Sequence, residues 1–145
     1  VLYQEFSTID QIPLAIFDRG RLILFSGLLT LDMRGELLVE LVWKLNSPST
    51  EEVFVHAFDC QGNLLGMADG PPLGRMFPFW QWVNDETVRD VRNIRLSDSS
   101  SLVCVMVEVG LFEPSTGNRV VVHDPDGNEY LNGVVSLGIN LDNEK

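Results

Sequence analysis

Residues 21–45 read RLILFSGLLTLDMRGELLVELVWKL, and this stretch decides the fold. Two apolar runs, residues 21–32 and 36–45, flank Asp32-Met33-Arg34-Gly35, where a glycine supplies the positive φ that a tight turn demands. In the second run Leu37, Val39, Leu41, Trp43 and Leu45 share one face while Glu40 and Lys44 lie on the other. That period of two belongs to a strand with one side in a core and the other largely wet. The stretch predicts a β-hairpin.

The same rhythm continues outward. Residues 53–59 and 63–68 are joined across Cys60-Gln61-Gly62, and the first run is apolar on both faces, which places it centrally in a sheet. Between residues 70 and 78, Pro71, Pro72, Gly74 and Pro78 exclude a central strand, since each proline removes a ladder donor; a loop crossing between sheets is expected. Residues 80–82 follow. Residues 87–96, with Val88, Asp90, Arg92 and Ile94 alternating, read as an edge or half-exposed strand, and the serine-rich residues 97–101 as a turn. Residues 102–112 form the most apolar strand, residues 119–123 and 134–141 the last two, with a polar hairpin tip at residues 124–128. The best helical candidate is one short turn near Ser7 to Gln11. Short strands with Gly and Pro turns and no sustained helical period predict an all-β fold, a two-sheet antiparallel β-sandwich of immunoglobulin-like or jelly-roll-like type. One domain over residues 1–145 is expected, with residues 1–20 a loosely attached lead-in.

Composition removes several function classes. The hydrophobic fraction of 45% suffices for a core, and 21 acidic against 10 basic residues give a net charge of -11, which repels a phosphate backbone and argues against nucleic-acid binding. No apolar run approaches the roughly 20 residues that cross a bilayer, so direct membrane insertion is not expected. Cys60 and Cys104 are too few for a disulfide framework or a zinc knot; a bridge between strands is one reading, and buried free thiols are favoured.

Chemistry-bearing patterns are sparse. There is no nucleophile elbow, phosphate loop, zinc helix or Cys-x-x-Cys pair, and two histidines, His56 and His123, cannot build a multi-histidine site, so neither a cofactor nor an enzyme is expected. His56 shares a strand face with Phe54 and Phe58 and reads as a structural histidine bonded to a carboxylate or carbonyl, with ligand contact as the alternative. Asp124, Asp126 and Asn128 space oxygen side chains around Gly127 like half of a calcium loop, though a solvated hairpin turn explains the same residues. Trp80 and Trp82 cluster with Phe77 and Phe79 near Asp69, Arg75 and Gln81; such rings flanked by carboxylates and amides hold sugars, while packing under the loop is the commoner outcome.

The motifs at residues 53–59 (VFVHAFD), Asp69 with Pro71, Trp82 with Glu86, Val88 and Asp90, and residues 109–120 (VGLFEPSTGNRV) occur in an order that resembles an accessory β-sandwich domain at the C-terminal end of some bacterial membrane glycosyltransferases, those similar to dolichyl-phosphate-mannose protein mannosyltransferases. The family's pattern has a Tyr where Phe112 stands, a Thr where Phe79 stands and Gly-Tyr where Ser101 and Leu102 stand. The resemblance implies a non-catalytic, extracytoplasmic module tethered to or beside a membrane protein. It assigns no ligand, and its polar or aromatic positions, His56, Asp69, Trp82, Asp90 and Arg119, fit a buried network pinning two sheets. The functional expectation is a binding or interaction module with carbohydrate or a neighbouring membrane-protein domain as partner. The runner-up is an architectural or homo-oligomerising domain that uses a sheet face or edge, and a third reading is a glycoside-acting enzyme with Asp69 and Asp90 as a carboxylate pair.

Overall fold

The computed structural model describes residues 2–5, 13–47, 49–71, 87–97 and 102–141. Among the described residues there are ten strands: β1 (Leu2–Glu5), β2 (Ala15–Phe17), β3 (Leu22–Leu31), β4 (Glu36–Leu45), β5 (Glu52–Asp59), β6 (Leu64–Met67), β7 (Thr87–Arg95), β8 (Cys104–Phe112), β9 (Val122–His123) and β10 (Val135–Asn140). They form two antiparallel sheets. One has the order β7-β4-β3-β2-β9 with β1 also on β3, the other the order β10-β8-β5-β6. The molecule is a β-sandwich, not a closed barrel.

The hairpin read first in the sequence is β3–β4, and its alternation holds residue by residue: Leu37, Val39, Leu41, Trp43 and Leu45 are fully buried. Gly35 takes φ 86°, as the turn requires. Across the core from β4 stand Val53, Val55 and Ala57 of β5 and Val105, Val107, Val109 and Leu111 of β8, all without exposure. At Gly27 of β3 the sheets approach so closely that a Cβ would lie 2.6 Å from Leu137 Cδ1 of β10. β5 sits inside its sheet and β7 at the edge of the other, both as the patterns required.

Three connections share one local design, Asp-x-x-Gly, beginning at Asp32, Asp59 and Asp124. In each, the aspartate Oδ1 accepts backbone N–H groups from the second and fourth residues after it: Arg34 and Glu36, Gln61 and Asn63, Asp126 and Asn128. The aspartate thus mimics a backbone turn. The cost falls on protonation. All three carboxyls are held below the ordinary aspartate value, chiefly by the Glu36 N–H at Asp32, the Asn63 side-chain amide at Asp59 and the Asn128 N–H at Asp124.

Two expectations need correction. The supposed lead-in contains β2, which bridges β3 and β9 and places Ala15 and Phe17 in the core, Phe17 with its ring 5.6 Å from that of Trp43. Three residues are too short a run to show period two, so tertiary pairing decides this strand. Cys60 and Cys104 are not free thiols but a disulfide, with Cα atoms 5.7 Å apart. The pairing of Asp59 with Val105 sets the two cysteines next to each other at the sheet's end, a register that no spacing along the chain reveals. The helical turn expected near residues 7–11, the expected strand at 80–82 and most of the proline-rich loop lie outside the described residues.

Candidate binding site

Three of the polar motif positions, His56, Asp69 and Asp90, are joined in one network, and the reason lies in the β5–β6 ladder. Ala68 N–H donates to the Val55 carbonyl at 2.9 Å, and an antiparallel pair would return a bond from Val55 N–H to the Ala68 carbonyl. Instead, Val55 N–H donates to Asp69 Oδ1 at 2.9 Å, and the Ala68 carbonyl accepts from Arg92 Nη1 of the opposite sheet, also at 2.9 Å. One peptide is released from the ladder and a side chain takes over its role. Asp69 Oδ2 in turn lies 3.0 Å from His56 Nε2, whose ring sits between Phe54 and Phe58 at centroid distances of 5.2 and 6.4 Å. His56 is the structural histidine that its strand face suggested.

Arg92 carries the network into the other sheet. Its Nε and Nη2 donate to Asp90 Oδ2 at 3.1 and 2.9 Å, and Trp43 Nε1 donates to the same oxygen at 3.2 Å. Asp90 has no solvent exposure and Arg92 only 8%. A carboxylate is tolerated there because a guanidinium and an indole N–H replace its water. Asp90 is therefore a fastener between sheets and cannot touch a ligand. Nor does it form a catalytic pair with Asp69, since the two acids serve different partners. The sequence reading missed Arg92 and Trp43. Arg92 sits two residues from Asp90 on an alternating strand, which was the available sign that both point inward.

Arg119 stands apart from this network. Its guanidinium lies 4.7 Å over the Phe54 ring and donates through Nη1 to the Asn132 carbonyl at 3.1 Å, so it covers an outward-facing aromatic ring. At the calcium-like loop, Asp124 Oδ1 is occupied by its own turn and Oδ2 accepts from Asn128 Nδ2 at 3.2 Å. Among the described residues no group of three His, Cys, Asp or Glu side chains is placed to hold a metal ion. The loop forms a largely exposed turn. Trp80 and Trp82 lie outside the described residues.

A cleft that no motif announced opens at one end of the sandwich. It measures about 740 Å3, and its polar lining comes from Asp18, Arg19, Arg21, Asn46, Glu51 and His123, with Val120 and Val121 beside them. The turn after β2 builds one wall. Asp18, Arg19 and Gly20 all have positive φ, 49°, 58° and 93°, a conformation that costs non-glycine residues of order 1–3 kcal/mol each. Asn46 Nδ2 holds the turn by donating to the Gly20 carbonyl at 2.8 Å, and Arg21 Nε lies 3.4 Å from Asp18 Oδ2. Arg19 projects outward, exposed and without a side-chain partner among the described residues.

Opposite stands Glu51. Burial raises the pKa of its carboxyl, the Ser49 hydroxyl opposes this by donating to Oε1 at 2.7 Å, and the nearby Asp18 charge pushes upward again. A cleft that brings together both charge signs, an amide and a carboxyl of perturbed pKa is the default place to look for ligand binding. The only sign in the sequence was Asp18-Arg19-Gly20-Arg21, a charged turn holding two of the ten basic residues.

No protein-family model matches the chain, and no curated protein is matched by it.

Proposed function

We propose that the chain is a non-catalytic, extracytoplasmic binding module that takes a hydroxyl-rich ligand, a carbohydrate, in the end cleft. The observation that carries this reading is the convergence of Asp18, Arg19, Asn46 and Glu51 on one cavity beside Val121. Carboxylates and amides accept from and donate to sugar hydroxyls, and an apolar wall packs against the ring's C–H face. The Cys60–Cys104 disulfide supports a location outside the reducing cytosol. The likeness of residues 53–59 and 109–120 to accessory domains of membrane glycosyltransferases supports a position beside such an enzyme, where glycans are at hand.

The test is a glycan-array screen of the oxidised protein with Arg19→Ala, Glu51→Gln and Trp82→Ala variants shown to stay folded. Binding lost in the first two supports the end cleft. Binding lost only in Trp82→Ala moves the site to the aromatic cluster, and no binding by the folded protein refutes a carbohydrate ligand.

A second reading rests on the same acids. Glycoside hydrolysis uses two carboxyls, one with a raised pKa, and Asp18 with Glu51 supplies such a pair where Asp69 and Asp90 do not. Appearance of reducing ends when bound glycans are incubated with the protein, abolished by Glu51→Gln, would establish it in place of simple binding.

A further inference from the structure

Asp18, Arg19 and Gly20, in the turn after β2, take a left-handed backbone one after another, at φ 49°, 58° and 93°. Two of them carry side chains, for which that conformation is strained and persists only where the surroundings enforce it. Here they do. Asp18 N–H donates to the Val121 carbonyl at 3.2 Å, Arg21 N–H to the Asp18 carbonyl at 3.1 Å and Asn46 N–H to the Arg21 carbonyl at 2.8 Å, while Asn46 Nδ2 donates to the Gly20 carbonyl. The turn is held by the residue after β4 and the residue before β9, and its fixed backbone sets Arg19 at the end cleft.

That arginine lacks a counter-charge. Arg21 lies 3.4 Å from Asp18, and Arg89, Arg92 and Arg95 lie 2.7, 2.9 and 2.8 Å from Glu40, Asp90 and Glu36. Arg119 has the Phe54 ring and the Asn132 carbonyl, and Arg34 joins the Glu36 N–H in holding the Asp32 carboxyl ionised. Arg19 has no such partner among the described residues, although the chain holds 21 acids against 10 bases. The acids of the cleft do not cancel it. Asp18 is matched by Arg21, and the Glu51 carboxyl, which accepts from the Ser49 hydroxyl, is pushed toward its neutral form by burial and by the Asp18 charge.

We infer, resting on the carbohydrate reading of the end cleft, that the cleft selects an anionic sugar, whose carboxylate or phosphate group pairs with the Arg19 guanidinium while its hydroxyls meet the Asn46 amide and the Asp18 and Glu51 carboxyls. A guanidinium presents a planar fork of donors that matches two oxygens of a carboxylate or phosphate at once. The net charge makes the pairing decisive. At -11, an anion approaches this chain against its overall field, so a fixed local cation is what holds it.

The experiment titrates the oxidised full chain with oligosaccharides in matched sets that differ only in the terminal residue: a hexuronate, a hexose phosphate or the neutral hexose. An acidic form should bind about tenfold more tightly than its neutral match, as expected of one charge-assisted pair, and the two acidic arms tell carboxylate from phosphate. Arg19→Gln, at an exposed position where the fold is not at stake, should abolish that preference. Arg89→Gln removes an arginine that is paired with Glu40 outside the cleft, and should keep the preference of the parent. Equal binding of acidic and neutral forms by the parent, a preference that survives Arg19→Gln, or one that Arg89→Gln also abolishes overturns the anionic ligand and leaves the carbohydrate reading standing. If the folded chain binds none of the oligosaccharides, both fall.

Discussion

Arg92→Met is the substitution that most directly tests how the two sheets are held together. The change keeps the length and the apolar stem of the side chain but withdraws the guanidinium from Asp90 Oδ2 and from the Ala68 carbonyl. Asp90 has no exposure, so its charge cannot be rehydrated without opening the core. Breaking a buried pair from one side costs about 3–5 kcal/mol, and an orphaned carbonyl about 1–3 kcal/mol. The two overlap where water enters, so a net loss of about 4 kcal/mol is expected. A chain of 145 residues has roughly 7–20 kcal/mol of total stability, so the variant folds but weakly.

Equilibrium urea unfolding under non-reducing conditions reads the effect. With a slope of about 2 kcal/mol per molar, the midpoint should fall by about 2 M. Adding Asp90→Asn to Arg92→Met removes the stranded charge while leaving an acceptor for the Trp43 N–H, and should restore about 2 kcal/mol. A loss under about 1 kcal/mol for Arg92→Met, or no recovery in the double variant, would refute the view that a buried ion pair fastens the sandwich.

Four further outcomes are expected. Reducing the Cys60–Cys104 bond, whose cysteines stand 44 residues apart, should cost up to about 4 kcal/mol by the loop-entropy relation, seen as a lower urea midpoint in dithiothreitol; Cys60→Ser with Cys104→Ser should show no response to reductant. The acid limb of stability should come from the turns. Folded Asp32, Asp59 and Asp124 titrate below the ordinary aspartate value of 3.8, so their contribution is complete above that pH and is lost as pH falls through the lower folded values. Replacing the three by Asn should flatten urea midpoints measured across that range. Glu51 has the opposite sign: its pKa is raised above 4.5, so its contribution is complete below 4.5 and is lost as pH rises through the folded value, and Glu51→Gln should raise the midpoint at neutral pH. Gly110→Ala should destabilise by about 1–3 kcal/mol, because the new Cβ would collide with the Phe54 ring and the Gly133 carbonyl; an unchanged thermal midpoint would contradict that packing.

How much the sequence disclosed depended on how local the cause was. The β3–β4 hairpin, the central place of β5, the edge place of β7 and the turn at Gly35 follow from side-chain period and turn chemistry within a few residues, and those signals survive in any context. The Asp-x-x-Gly turns were equally local, and comparing Asp32, Asp59 and Asp124 with one another would have found the shared design. β2 had only Ala15, Ile16 and Phe17 to show, too few to display a period, and its membership in the sheet came from its neighbours β3 and β9.

Sequence by itself therefore determined the class of fold and the faces that make the core, and the resemblance added the expectation that His56, Asp69 and Asp90, with Trp82 and Arg119, belong to one network. The rest was decided by which residues tertiary packing sets side by side. Cys60 meets Cys104 because Asp59 pairs with Val105, Arg92 enters the β5–β6 ladder from the opposite sheet, and Asp18 comes to face Glu51 across the end cleft. Such meetings depend on the register between strands far apart in the chain, and register is settled by the summed burial of two whole faces rather than by any residue's own neighbourhood.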